Sequence, residues 1–384
     1  MTHALKATTL RSMAEIDAAS WNALAGDYPF MRHEFLRALE DTGCVTRTTG
    51  WTPHHLLIGD AAQPLVLAPR YEKAHSWGEF VFDFAWARAW ESRGLRYYPK
   101  ILLAIPFTPA SGPRLLCSAA GGDAEQQRIA ALAAIASDAA ARGRSSAHAL
   151  FIDEPLRTAA TAAGWLLRRD CHFQWCNRGY GDFEDFLATF SADKRKKARR
   201  ERRRVAEQGI EFELRTGTEL DPGLLREIYA LHAATFIRHG HEPYLTAEFF
   251  ISVAAALGEN FLATLAWRAG QLVATAVYFR SRDTLYGRYW GAVGDFHSLH
   301  FEACYHQGIE YCIRNRLQCF EPGTQGEHKL ARGFEPVFTW SAHWLADPVL
   351  RDAVSRFLER ESAAIGEYAE AAGRHTPFRD QPAP

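Results

Sequence analysis

What this chain has little of bounds it first. Its seven cysteines are odd in number and lack the regular spacing of a disulfide framework, which excludes a stapled extracellular module. No uncharged apolar run approaches about 18 residues, so no segment is expected to span a membrane. The opening MTHALKATTLRSMAEIDAAS has no apolar core of the kind a secretory signal needs. The expectation is a soluble, cytoplasmic protein. The stretch CHFQWC (171–176) has metal-ligand residue types, but its apolar side chains alternate as in a strand and no second pair lies at zinc spacing. No metal and no tightly bound cofactor are therefore expected. Positive charge is also scarce over most of the chain: outside residues 194–204 there are 35 basic side chains against 44 acidic ones, although the formal net charge is -1.

What is present begins with size. At 384 residues, 47% hydrophobic and 12% aromatic, the chain can build large cores and is expected to divide into two domains. Residues 54–85, HHLLIGDAAQPLVLAPRYEKAHSWGEFVFDFA, hold three β-rich segments parted by turn signals, the third being WGEFVFDFA. Residues 261–292, FLATLAWRAGQLVATAVYFRSRDTLYGRYWGA, hold three more. Each triplet follows an aromatic helical segment and precedes a longer helix and another strand, which suggests a duplicated α/β domain. In the second half, IEFELRT is a strand, DPGLLREIYALHAATFIRHG a helix, SLHFEACYHQGIEYCIRNRL a second helix and QCFEPG the next strand.

The missing positive charge is concentrated in SADKRKKARRERRRVAEQG (191–209), where nine of the eleven residues from Lys194 to Arg204 are basic. Ser191 suits a helix N-cap, Gly209 a stop, and nothing between them breaks a helix. Basic residues fall on every side of that helix, so no core can hide most of them, and a solvated face or a polyanion must receive them. Lys194, Arg195, Lys196, Lys197, Arg199, Arg200 and Arg203 are the candidate anion-binding residues.

Strand, helix, three-strand meander, helix, strand is the order of the GNAT acyltransferase fold, in which adjacent strands splay to admit an acyl donor and an amine. The stretch EPGTQGEHKLARGF (321–334) resembles the Fem family of peptidoglycan-bridge aminoacyltransferases, where a strand ends in an acidic residue and a Gly-x-x-Gly turn followed by a lysine. The basic stretch before the second half matches the same family. MRHEFLRALEDTG, LRYYPKILLAIPFTPASGPRL, CNRGYGDFEDFLATFSADKRKKARRERRRV and LYGRYWG extend the resemblance to FemAB-like acyltransferases over almost the whole chain. It implies a mixed α/β (α+β) fold of two tandem GNAT domains, residues 1–190 and 210–345. A basic helix at 191–209 joins them, and a C-terminal helix and tail occupy 346–384. It also implies aminoacyl-tRNA as the donor and a peptide or amine as the acceptor. The glycine-rich loop that holds coenzyme A pyrophosphate in GNAT enzymes is not evident in GAVGDFHSLHFEACYH or ARAWESRGLRYYPKILLAIP.

Acyl transfer to an amine needs a neutral nucleophile, stabilisation of the tetrahedral oxyanion and a proton route to the leaving group. GNAT-like folds often supply the oxyanion donor from the backbone of the splayed strand, here around Tyr289 to Gly291. Glu321, Lys329, Glu302 and His328 are the candidate catalytic residues, and Arg288, Tyr289, His300, Gly323 and Gly326 the candidate substrate-binding ones. Asp83, Tyr98, Lys100 and Arg114 of the first half are candidates to line a pocket for an amine or peptide acceptor between the domains. Each also has an ordinary structural reading: a loop cap for Glu321, a helix N-terminus for Glu302, a buried turn for the tyrosines. The competing functions are an acyl-CoA- or acyl-carrier-dependent N-acyltransferase and a non-catalytic RNA- or anion-binding protein.

Overall fold

The structure, a computed structural model, describes residues 7–238, 240–324 and 326–379. Gln325 of the glycine turn and the tail from 380 lie outside the described residues. The chain divides into two compact units, one from residues up to 170 with 338–366, the other from residues 171–337 with those from 367 onward. The division falls at 170/171 and not at 190/191. Residues 171–190 place Phe173, Trp175, Phe183, Phe186 and Phe190 in the core of the second unit, and apolar burial sets the boundary.

In the first unit a four-stranded antiparallel sheet joins Ala7–Leu10, His55–Gly59, Pro64–Ala68 and Leu116–Cys117. A second set runs Trp51–Pro53, Arg70–Lys73, Lys100–Leu103, Ser146–Leu150 and the end of Glu335–Leu345, antiparallel except for Lys100–Leu103 beside Ser146–Leu150. Helices Ala124–Ala141 and Glu154–Ala162 close its core through Leu132, Ile135 and Leu156. The expected third strand WGEFVFDFA does not form. Phe80 takes a left-handed φ of 63°, and Asp83 precedes a helix, Phe84–Glu91. Both Glu79 and Asp83 turn inward to Lys100, and that ion pairing overrides the β propensity of the segment. Lys100–Leu103 pairs with Arg70–Lys73 instead.

The second unit follows the expected order. Ile210–Thr216, Phe261–Arg268, Gln271–Arg280 and Thr284–Ala292 form an antiparallel run, Cys319–Glu321 adds in parallel, and Leu166–Cys176 closes antiparallel to that. Helices Pro222–Arg238 and Ala247–Leu257 meet the sheet through His232 and Phe250, whose rings contact Tyr289. Tyr278, Leu285 and Phe320 pack with Ile309 and Cys312 of the helical stretch 299–314. That stretch widens to a π-helix at Glu302–His306, the kind of irregularity that collects at functional sites. The basic stretch forms the helix Ala192–Glu207, with Ser191 preceding it and Gly209 following at φ 71°. The Ser191 side chain makes no cap bond; its N–H donates to the Pro377 carbonyl at 2.9 Å. The C-terminal helix spans Pro348–Gly373.

Candidate functional site

In the second unit, Thr284–Ala292 and Cys319–Glu321 run parallel only from Thr284 to Tyr286, opposite Cys319 to Glu321. Beyond Tyr286 the first strand continues to Ala292, held on its other edge by Gln271–Arg280. That pairing slips at Val277/Tyr278, so that Val277 faces Tyr289 while Tyr278 faces Gly287. Arg288 is thus the extra residue of a β-bulge, a device that re-aims side chains and leaves backbone groups outside the ladder. Gly287 keeps the mouth open, because a Cβ there would meet the Phe320 ring and Pro322 Cα, both at 3.3 Å. Gly291 is needed for packing, since its Cβ would lie 2.2 Å from the Leu231 carbonyl carbon.

A cavity of about 80 Å³ occupies the opening, lined by Tyr278, Arg288, Tyr289, Trp290, His300, Cys304, Tyr305 and Pro322. The Tyr278 hydroxyl donates to the Ala303 carbonyl. The His300 ring lies 5.2 Å from Trp290, 5.4 Å from Tyr305 and 5.8 Å from His328. His328 Nε2 and the Tyr305 hydroxyl are hydrogen-bonded at 2.7 Å. Burial holds His300 down at about 4, with His328, Arg332 and Lys329 adding to the effect, and lowers His328 as well. Lys329 is 1% exposed, and its Nζ donates to the Gly323 carbonyl at 2.5 Å. Burial brings its pKa down to about 7, so near neutral pH this amine exchanges between charged and neutral forms. Gly323 and Gly326 shape the turn at φ 89° and 100°, and a Cβ on Gly326 would overlap the His328 ring.

Of the expected site residues, Arg288, Tyr289 and His300 line the opening, His328 is tied to that lining through Tyr305, and buried Lys329 sits behind it, on the Gly323 carbonyl. Two other candidates stand elsewhere. Glu302 is 3% exposed and is held by Arg202, at 3.1 Å from Nε, and by Gln307 at 2.7 Å. Strand alternation turns Glu321 to the face opposite Phe320, and it is not among the residues lining the cavity.

The basic helix is fastened to this region from one side. Ala198, Glu201 and Val205 are its buried face. Both carboxylate oxygens of Glu201 accept from Arg332 at 2.9 Å, and Arg332 also donates to the His328 carbonyl at 2.6 Å. Arg202 pairs with Glu302 and Glu310. The other basic side chains point outward. Arg199 pairs with Glu184 and Arg203 with Glu207, while Arg195 reaches the Ala188 carbonyl. Lys194, Lys196, Lys197 and Arg200 are exposed.

In the first unit Asp83, Lys100 and Tyr98 do come together. Lys100 Nζ donates to Ser76 Oγ at 2.9 Å, Glu79 at 2.8 Å and Asp83 at 2.5 Å, and the Tyr98 and Ser76 hydroxyls meet at 2.8 Å. The Tyr97 hydroxyl donates to Asp83 and contacts His148, which meets His343 Nδ1 to Nδ1 at 2.7 Å. Ser341 is hydrogen-bonded to His343 and lines a pocket of about 150 Å³ with Phe80, Phe82, Phe151, Arg168 and Asp170. Burial raises Glu79 to about 7 and lowers His148 to about 3; desolvation opposes the charge on Asp83, but Lys100 and His148 overcome it and hold that carboxyl low. Lys100 and Asp83 are nearly closed to solvent, so of the three only half-buried Tyr98 is open to a ligand. Arg114 is apart, holding the Ala110 and Pro113 carbonyls. Sequence reasoning missed Glu79, His148 and His343. Glu79 lay inside an expected strand, and the two histidines are 195 residues apart with no local motif.

Among the described residues no group of three or more His, Cys, Asp or Glu side chains is placed to hold a metal ion, and no helix is long and apolar enough to cross a membrane.

The comparisons with known proteins agree with this architecture. Residues 12–380 match the FemAB-like family model, described as peptidoglycan biosynthesis/recognition. No curated protein matches significantly. Among solved structures, one similar chain is the C-terminal domain of an Agrobacterium fabrum protein described as a lysylphosphatidylglycerol synthetase. It shows 11% identity and a TM-score of 0.53, covering 90% of this chain and 97% of that one. L-PGS from Bacillus licheniformis is similar at 10% identity and a TM-score of 0.51, covering 85% and 96%. These likenesses are of fold. The family match covers nearly its full length and both units are mixed α/β: the chain belongs to the FemAB-like family of acyl- and aminoacyltransferases.

Proposed function

We propose that the protein moves an aminoacyl group from aminoacyl-tRNA onto an amine of a peptide or small-molecule acceptor. The observation that supports this most is the attachment of the basic helix. Its outward face offers Lys194, Lys196, Lys197, Arg199, Arg200 and Arg203 to a polyanion. Its inward face is fixed, through Glu201–Arg332 and Arg202–Glu302, to the turn and helix that carry Lys329, His328 and His300. A phosphate backbone held on one side would have its acylated end near the opening on the other.

In the reaction the acceptor amine must lose a proton as it attacks the ester carbonyl, and the departing ribose hydroxyl must gain one. Lys329, poised near neutrality behind the glycine turn that follows Pro322 of the lining, is the residue we assign to the proton transfer. The backbone of the bulged strand around Arg288 to Gly291 is assigned to the oxyanion. His300, held neutral, and His328 with Tyr305 shape the opening. Glu302, locked in ion pairs, positions the basic helix and does not act as the base.

The test offers charged tRNA, acyl-CoA and an acylated carrier protein, each with a labelled acyl group, together with pooled peptide and amine acceptors. Loss of label from charged tRNA supports the reading. Loss from acyl-CoA alone, or from no donor, overturns it.

A further inference from the structure

Cys176 and Cys319 stand directly opposite each other where Leu166–Cys176 pairs antiparallel with Cys319–Glu321. The flanking backbone bond runs from Asn177 N–H to the Gln318 carbonyl at 2.8 Å, so the two cysteines occupy a non-hydrogen-bonded position of the ladder. At such positions Cα atoms lie about 4.5 Å apart and side chains approach most closely, within the roughly 4.4–6.8 Å over which a disulfide closes without moving the backbone. Both residues are half-buried, whereas Cys44, Cys171 and Cys312 are buried.

The chemistry of the pair is asymmetric. The contact between the two thiols, with a smaller contribution from Arg178, lowers Cys176 against burial and Glu335, while the Cys319 thiol is pushed up. A thiolate is the reactive form toward peroxides, and an accessible thiolate beside a resolving thiol is the arrangement redox-responsive cysteines share. Burial instead raises Cys304 and Cys312 and removes them from competition.

We propose that Cys176 and Cys319 are an oxidative modification site that closes to an intrachain disulfide in the presence of a hydroperoxide. The Cys176 thiolate attacks the terminal peroxide oxygen, the O–O bond breaks, and hydroxide (or the alkoxide of an organic peroxide) leaves, giving a sulfenic acid. The Cys319 sulfur, losing its proton, then attacks the Cys176 sulfur and displaces hydroxide, which that proton converts to water. Two thiols are oxidised by two electrons overall and one peroxide is reduced. The strand so tethered runs on through Glu321 to Pro322, which lines the cavity, and to Gly323, whose carbonyl receives Lys329. The cross-link would pin one wall of the candidate site.

The experiment uses the full, reduced chain treated with a small excess of hydrogen peroxide near neutral pH. Thiols are then counted in denaturant with dithionitrobenzoate, and cross-linked peptides are mapped by mass spectrometry. The expected result is a fall from seven titratable thiols to five, one Cys176–Cys319 peptide, and recovery of all seven with dithiothreitol. In Cys319→Ser, Cys176 should instead accumulate as a sulfenic acid trapped by dimedone. A count that stays at seven, a cross-link joining any other pair, or Cys319→Ser without a dimedone adduct at Cys176 overturns the proposal.

Discussion

Glu201 presents both carboxylate oxygens to one guanidinium nitrogen of Arg332 at 2.9 Å, and the Arg332 guanidinium lies 3.4 Å from the centre of the Phe301 ring. A lone acid in a run of basic residues thus serves as the inward anchor of the helix that carries them. Removing one partner of a buried pair leaves the other uncompensated, at about 3–5 kcal/mol. Glu201→Ala should destabilise the second unit by about that amount in denaturant unfolding. Glu201→Ala combined with Arg332→Met should cost clearly less than the sum of the two single changes. Strict additivity would mean that the pair is not coupled.

The outward face predicts salt dependence. Replacing Lys194, Lys196, Lys197 and Arg200 with Ala should leave stability within about 0.5 kcal/mol. It should lower the slope of log affinity against log salt for RNA by about 3. Arg202→Ala should behave oppositely, reducing stability by breaking its pairs with Glu302 and Glu310. Binding isotherms at several salt concentrations distinguish the two; an unchanged slope in the fourfold variant places the polyanion elsewhere.

Lys329 predicts a pH profile. Its folded pKa of about 7 lies below the ordinary value of 10.5, so the neutral amine accumulates as pH rises through 7. If the amine accepts the proton, turnover should climb across that interval and level off above it. Lys329→Ala should lower turnover by about 100-fold or more with little change in donor affinity. Turnover that falls as pH rises through 7 would assign the charged form to the chemistry instead.

Glu79 predicts a stability trend in the first unit. Its folded pKa of about 7 is raised from 4.5, so the folded state binds more protons between these values. Its contribution is fully present below about pH 4.5 and is lost as pH rises through 7. Glu79→Gln should therefore flatten the fall in Tm between pH 5 and about 7.5 relative to the parent chain, while Lys73, Asp83, Lys100 and His148 remain in place. Parallel Tm curves for the two proteins would exclude Glu79 as the source.

Much of the second unit was legible because its order of strand, helix and meander is written in local periodicity, and because EPGTQGEHKLARGF marks its turn. That motif led to Lys329 and His328. It could not show which way Glu321 turns, since one residue of strand parity decides the face. Glu302 looked available in the sequence, but Arg202 satisfies it across 100 residues. The first unit was less readable for the same reason. WGEFVFDFA has the composition of a strand, but Lys100 draws Glu79 and Asp83 inward from a distance and bends it. Partnerships between charges far apart in sequence leave no periodic trace.

The interleaving of the two units also bears on how the chain is made. Neither unit is complete in the order of synthesis. The first 170 residues must wait for residues 338–366, and the second unit for those beyond 367. The final segment supplies Pro377, which receives the Ser191 N–H at the start of the basic helix, and Phe378, whose ring lies 5.6 Å from that of Phe190. On the ribosome the strongly cationic helix, complete at Glu207, therefore emerges well before its brace at Pro377 is made.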